Sequence, residues 1–336
     1  QAKTKIQEDK ACDFLFADDC ALAAGSHADM QHNMDLFSSA CDNFGLTIST
    51  KKTEVMYQPA PGKPYVEPTI TVKDQNLSAV DNFTYLGSTL SRVIHIDAEI
   101  NSRIAKASAA FGRLRDKVWD RTGIKVETKL KVYQAIVLPT LLYGCETWTV
   151  YQRHAKILNR FHLNCLRKLF KIKWQDKIPD TEVLDRANMM SIHTVLKKYQ
   201  LRWTGHVVRM QDVRIPKKIF FGELKSGKRS RGGQKKRFKD TLKASLKSFN
   251  VDVENWETLV QDRETWRSII NDGAATSESN RVKDAESKRQ LRKSRVNSNS
   301  AGMPRTNLSC PVCHRLFVAQ IGLISHMRTH QLKNSS

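Results

Sequence analysis

Hydrophobic spacing divides the 336-residue chain into three stretches. Short apolar runs come first. Phe14-Leu15-Phe16 and Cys20-Ala21-Leu22 flank the pair Asp18-Asp19. Runs this short, bounded by polar residues, predict two buried strands joined by a tight acidic turn. Met30, Met34, Phe37, Ala40, Cys41 and Phe44 then recur at spacings of three and four. They predict a core-facing helix, capped by Ser26 or Asp29 and stopped at Gly45. Residues 46–57 alternate and predict a strand, and Pro59, Pro61, Pro64 and Pro68 mark a loop. Ile70-Thr71-Val72 and Leu77-Ser78-Ala79-Val80 read as a hairpin about Lys73–Asn76, with a further strand over Phe83–Leu90.

After residue 95 the period becomes helical. The spacing predicts helices over 96–118, 125–137 (ended or kinked at Pro139), 151–170, 181–187, 192–210 and 254–270. Residues 271–308 are rich in Ser, Asn, Lys and Arg with almost no large apolar side chains, which predicts a disordered linker. Leu308 opens a separate unit.

Charge sharpens this division. The chain carries 56 Lys+Arg against 34 Asp+Glu, a net charge of +22. Residues 1–100 hold 8 basic against 14 acidic residues, and the remainder 48 against 20. The first hundred residues therefore suit a cation, and the rest suits a polyanion; nucleic acid, RNA or DNA, is the expected partner. The densest block is 225–239, where Lys228, Arg229, Arg231, Lys235, Lys236, Arg237 and Lys239 accompany three glycines and no acid. It reads as a phosphate-contacting loop. Seven cysteines without disulfide-framework spacing, no apolar signal core and no apolar run of 18 residues predict an intracellular, reduced chain with no membrane span, nuclear in location.

Two places carry metal chemistry. Asp18 and Asp19 offer hard carboxylate oxygens that suit magnesium, which keeps several waters and is held by one or two carboxylates together with substrate phosphates. Cys310, Cys313, His326 and His330 have the number, identity and spacing of a tetrahedral zinc site, with Phe317 and Leu323 placed as its small core. His314 falls out of register. With His326 at helix position 7, the base-reading positions are Ala319, Gly322 and Ser325, none able to make a bidentate base contact. Weak, sequence-independent nucleic-acid binding through Arg315 and Arg328, or protein contact, is therefore expected.

Phe16-Ala17-Asp18-Asp19 resembles the Phe/Tyr-x-Asp-Asp signature of reverse transcriptases of non-LTR, LINE-like retrotransposons. Phe44–Ser49 with Lys52–Met56 resembles the next palm motif, and Phe83–Ser88 the primer grip. Leu142–Trp148 and Arg202–Met210 resemble segments that follow in that family. The likeness covers roughly residues 1–270 and implies an RNA-directed DNA polymerase with deoxynucleoside triphosphate as substrate. It implies that Asp18 and Asp19 hold magnesium and that Lys52 (or Lys51) donates a proton to the pyrophosphate leaving group. It also implies a third carboxylate and nucleotide-closing fingers earlier than residue 18, for which only 17 residues remain.

The expected architecture is α+β: a partial palm over 1–92, an all-α thumb-like region over 93–270, a disordered linker over 271–308 and a ββα zinc finger over 309–333. The expected function is that of a polymerase fragment, inactive alone, that binds nucleic acid through its basic helical region and its finger. The alternative is a non-catalytic zinc-finger nucleic-acid-binding protein derived from such an element.

Overall fold

The computed structural model describes residues 13–59, 63–93, 95–222, 236–302, 308–317 and 319–333. It is mostly helical, with small two-stranded sheets. It divides into two units, residues 1–279 and residues 280–336.

The first unit opens with the hairpin β1 (Asp13–Phe16) and β2 (Asp19–Leu22), paired antiparallel with Phe16 opposite Asp19. Helix α1 (His27–Asn43) follows. Ser26 caps it, its Oγ accepting from the Asp29 amide at 3.1 Å, which satisfies one of the orphan N–H groups of the first turn. Met34 and Cys41 are buried as their spacing predicts, whereas Phe44 is exposed. Strand β3 spans only Glu54–Val55 and pairs in parallel with β6 (Ser78–Ala79). The expected long strand over 46–57 is otherwise turn and extended chain. Strands β4 (Thr71–Val72) and β5 (Gln75–Asn76) form a tighter hairpin than expected, because Lys73 and Asp74 both take positive φ, the backbone of a two-residue primed turn. Met34, Ile70, Val72 and Leu77 make the small core of this region.

The single strand expected over Phe83–Leu90 is instead a hairpin, β7 (Asn82–Tyr85) and β8 (Ser88–Ser91). Leu86 and Gly87 take φ of 46° and 78°, again a primed turn whose twist matches the strands. Helix α2 (Asp97–Arg113) lies against it. The buried Arg103–Glu99 pair (2.7 Å) grips the turn: Glu99 accepts from the Thr89 amide, and Arg103 donates to the Gly87 carbonyl. A buried pair of this kind holds only when its remaining hydrogen-bond valences are met, as they are here.

Helices α3 (Val126–Val132) and α4 (Leu138–Leu142) are joined by a π-helical turn over Tyr133–Val137. The chain therefore stays helical through Pro139. A widened turn upstream accommodates the ring and the missing N–H, where an ending or kink at Pro139 was expected. Helices α5 (Gln152–Leu169), α6 (Asp180–Arg186) and α7 (Ile192–Arg209) match the predicted spans within a residue or two. Tyr133, Leu141, Leu158, Leu166 and Ile192 form the heart of this larger core.

A second core gathers Leu201, Leu246, Trp256, Trp266 and Ile270 from α7, α9 (Phe238–Ser248), α10 (Trp256–Leu259) and α11 (Arg263–Gly302), with Phe220 added from α8 (Ile215–Phe221). The close packing of α7 on α11 depends on Gly205, where any Cβ would overlap the indole of Trp266.

Helix α11 runs through most of the segment expected to be a disordered linker. Two physical facts explain the difference. Residues 274–278 belong to the fold: Ala274 is fully buried, and Glu278 accepts hydrogen bonds from the amide and hydroxyl of Ser191 at 3.1 and 2.7 Å. That carboxylate sits at the N-terminus of α7, where the helix dipole favours it. Beyond it good helix formers (Ala, Glu, Lys, Arg, Gln, Leu) predominate over residues 281–295, and no proline intervenes before residue 304.

The second unit contains the exposed end of α11, the antiparallel pair β9 (Leu308–Ser309) and β10 (Leu316–Phe317), and α12 (Gln320–Lys333).

Candidate functional site

Asp18 and Asp19 stand where the sequence places them, at the tip of the β1–β2 hairpin, and both are exposed. Asp18 is the second of the two turn residues and Asp19 opens β2. Ala17 precedes them at φ 53°, a left-handed conformation that an alanine adopts at a cost of roughly 1–2 kcal/mol. The hairpin's apolar residues are not buried as expected: Phe14, Leu15 and Phe16 are 42%, 61% and 63% exposed. The reason is topological: this ladder has two strands only, and it meets the small core at its far end, where Leu22 is partly buried, rather than along β1. Among the described residues its hydrogen bond to a distant element runs from the Tyr85 hydroxyl of β7 to the Phe14 carbonyl, 3.0 Å. Burial raises the pKa of the neighbouring Cys20 thiol, and the charges of Cys41, Asp19 and Asp18 act in the same direction.

Lys52 is exposed in the turn before β3, with no hydrogen bond or ion pair to Asp18 or Asp19. Among the described residues no third metal-ligating side chain joins the two aspartates. Asp13 shares strand β1 with the hairpin itself.

The four residues Cys310, Cys313, His326 and His330 do converge. Their ligand atoms all lie within 4.8 Å of one another. Cys313 Sγ is 3.0 Å from His326 Nε2, and the two histidine Nε2 atoms are 3.0 Å apart. A tetrahedral zinc with bonds of ~2.0–2.3 Å sets its ligands about 3.3–3.8 Å apart, so the cluster fits that ion with small adjustments. The local chain makes the site. Residues 310–315 form a knuckle in which Cys310 donates its amide to Arg315 O and accepts from the His314 amide, both at 2.9 Å, with His314 in the left-handed region. The Val312 amide points at Cys310 Sγ, 3.4 Å away.

Electrostatics favour the ligating forms. Burial would raise the Cys310 pKa, but hydrogen bonds from Cys313 and Val312 outweigh it and the pKa is lowered. Burial, aided by the charges of His330 and Arg315, lowers that of His326. Phe317 packs on His326 with ring centroids 4.9 Å apart and planes tilted by 35°, and Leu323 is half-buried. His314, Ala319 and Ser325 are exposed.

The predicted basic contacts divide. Lys228, Arg229, Arg231 and Lys235 lie outside the described residues, as does the side chain of Arg328. Lys236 stacks its ammonium over Tyr151 at 5.6 Å, Arg237 pairs with Asp240 at 3.5 Å, and Lys239 donates to the Phe221 carbonyl. Arg315 lies 5.9 Å from the Phe317 ring centre. The motif Arg202–Arg209 contains contacts that the sequence did not disclose. Trp203 packs edge-on against Phe238, and Arg209 donates to the Val260 carbonyl at 2.7 Å.

Comparison with known proteins adds the lineage. The chain is 29% identical over 272 residues to an uncharacterised transposon-derived protein of Caenorhabditis elegans, covering 78% of this chain and 96% of that one. It is 25% identical over 142 residues to the RNA-directed DNA polymerase from mobile element jockey of Drosophila funebris, and 20% identical over 213 residues to that of Drosophila melanogaster. These matches cover 41% and 60% of this chain, but only 16% and 23% of the two polymerases. The relatives support a mobile-element origin. No family model matches the chain, and no solved structure matches it. Among the described residues no helix is long and apolar enough to cross a membrane.

Proposed function

We propose that this chain is part of a retrotransposon RNA-directed DNA polymerase and that it acts by gripping nucleic acid. The observation that carries this reading is an exposed turn holding Asp18 and Asp19 in a chain whose relatives include jockey polymerases. In such an enzyme Asp18 and Asp19 hold magnesium, and paired metals stabilise the attacking and leaving oxygens of phosphoryl transfer. Lys52 is the candidate proton donor to the departing pyrophosphate, and the β7–β8 hairpin, tied to β1 through Tyr85, faces the primer end.

Among the described residues no third ligand joins the two carboxylates, and such a pair makes a weak metal site. The chain on its own is therefore a binding protein, with RNA or DNA held by its basic helical region and its zinc finger. Zinc, where bound, supplies the finger's folding free energy, typically ~10–16 kcal/mol in finger peptides.

The purified 336-residue chain is expected to bind labelled RNA and DNA oligonucleotides with affinity that falls steeply as salt rises. It is expected to add no nucleotide to a primed template. Absence of oligonucleotide binding at low salt would contradict the binding role; templated incorporation would show that the two aspartates suffice.

A further inference from the structure

We propose that the cleft between α7 and α11 binds the phosphodiester backbone of single-stranded nucleic acid. This rests on the nucleic-acid reading above but places the contact at residues outside the basic block and the finger. The cleft measures about 500 Å³. Helix α7 brings Arg202, His206 and Arg209 to it, spaced four and three residues apart and so on one face. Helix α11 brings Arg263 and Arg267, four residues apart, from the other side. Glu146 is the one acid among its lining residues, so four guanidinium groups face a single carboxylate.

These arginines are not spent on the fold. Arg202, Arg263 and Arg267 are exposed, and none makes a hydrogen bond or ion pair among the described residues. Arg209 uses one nitrogen on the Val260 carbonyl. Burial lowers its pKa, and the nearby charge of Arg263 adds to that effect. An anion in the cleft would relieve this crowding. Guanidinium groups match phosphate oxygens in fork geometry and charge.

The rest of the cleft suits a nucleotide. Trp203 and Tyr199 are half-buried on its wall, and Trp266 is buried at its base. The Trp266 indole N–H is taken by the Leu201 carbonyl at 3.1 Å, so its ring offers contact area and no free donor. Within Trp203-Thr204-Gly205-His206, packing accounts for Trp203, against Phe238, and for Gly205, beneath Trp266. It does not account for Arg202 or His206, which point to solvent. A cleft of this size takes a ligand of one or two nucleotides, not a duplex. From Arg202 to Arg209 the helix rises about 10 Å, roughly three phosphate spacings of a stacked strand, enough to reach the phosphates that flank the one or two nucleotides in the cleft.

The test uses the full chain and a labelled oligothymidylate, with anisotropy read across a salt series. The triple variant Arg202→Gln/Arg263→Gln/Arg267→Gln should keep the wild-type urea midpoint. Its plot of log affinity against log salt should be shallower by about 2, from ~0.7 per lost phosphate contact on a single strand. The corresponding triple Arg→Lys variant should restore the slope. An unchanged slope with intact wild-type binding would overturn this site alone. No binding by the wild type would overturn the nucleic-acid reading as a whole. Competition by polyglutamate as strong as by unlabelled oligothymidylate would assign the cleft to an acidic protein segment and overturn the proposal.

Discussion

At the scale of single residues, buried polar groups show how the helical unit is held together. His162 of α5 is 1% exposed and shares a 2.8 Å hydrogen bond between its Nδ1 and the Tyr133 hydroxyl, while its Nε2 has no partner among the described residues. Burial lowers its pKa from 6.5 to about 4, against a smaller opposing effect of the Glu278 charge. The folded state therefore keeps the imidazole neutral, while the unfolded chain protonates it near pH 6.5. Between these values the unfolded state binds more protons, so stability rises with pH. The contribution, on the order of 3 kcal/mol, is fully present above pH 6.5 and is lost as pH falls toward 4. Urea midpoints measured from pH 7 to pH 4 should show this decline. In His162→Gln the decline over that window should be smaller; an identical decline would assign it to other groups.

Elements differ in how far they can be read from sequence. Helices α5, α6 and α7 are legible because each buries a stripe at three and four spacing, and a stripe is a local signal. Leu158 and Leu166 of α5, eight residues apart, show it. The hairpins are less legible, because backbone conformation decides them. Leu86 and Lys73 take positive φ although neither residue type advertises it. The continuation of α11 is illegible for another reason. Its polar composition reads as linker, and the contact that orders residues 274–278 joins Glu278 to Ser191, 87 positions away. That bond defines an element-scale prediction. Glu278→Ala removes a charged cap from α7 and leaves Ser191 and Thr194 without their acceptor. It should cost about 2–3 kcal/mol in urea unfolding, at the charged end of the hydrogen-bond range. A change under about 0.5 kcal/mol, the scatter of an ordinary surface substitution, would show that α11 holds α7 by apolar contact alone.

For the whole molecule, the Cys310, Cys313, His326 and His330 cluster is legible because all four fall within 21 residues, and their spacing brings them together. The aspartate turn is legible as a motif, but not the exposure of Phe14, Leu15 and Phe16 beside it, which follows from a ladder of two strands only. The arginine cleft is invisible in sequence, since Arg202 and Arg263 meet only once α7 and α11 pack across Gly205. The basic excess beyond residue 100 suits a polyanion, and the proposed reading gives the molecule two unequal means of holding one. The first unit has two substantial cores and does not need a metal to form. The Cys310–His330 unit has little core beyond Phe317 and Leu323, so in the proposed reading a bound zinc would be what folds it.

In the proposed reading the first unit provides the main grip on nucleic acid and the finger assists. Oligonucleotide binding by the full chain, compared before and after zinc is removed with a chelator, tests it most directly. Affinity should drop modestly and a steep salt dependence should persist. Loss of all binding on chelation would make the finger the functional unit and contradict the account.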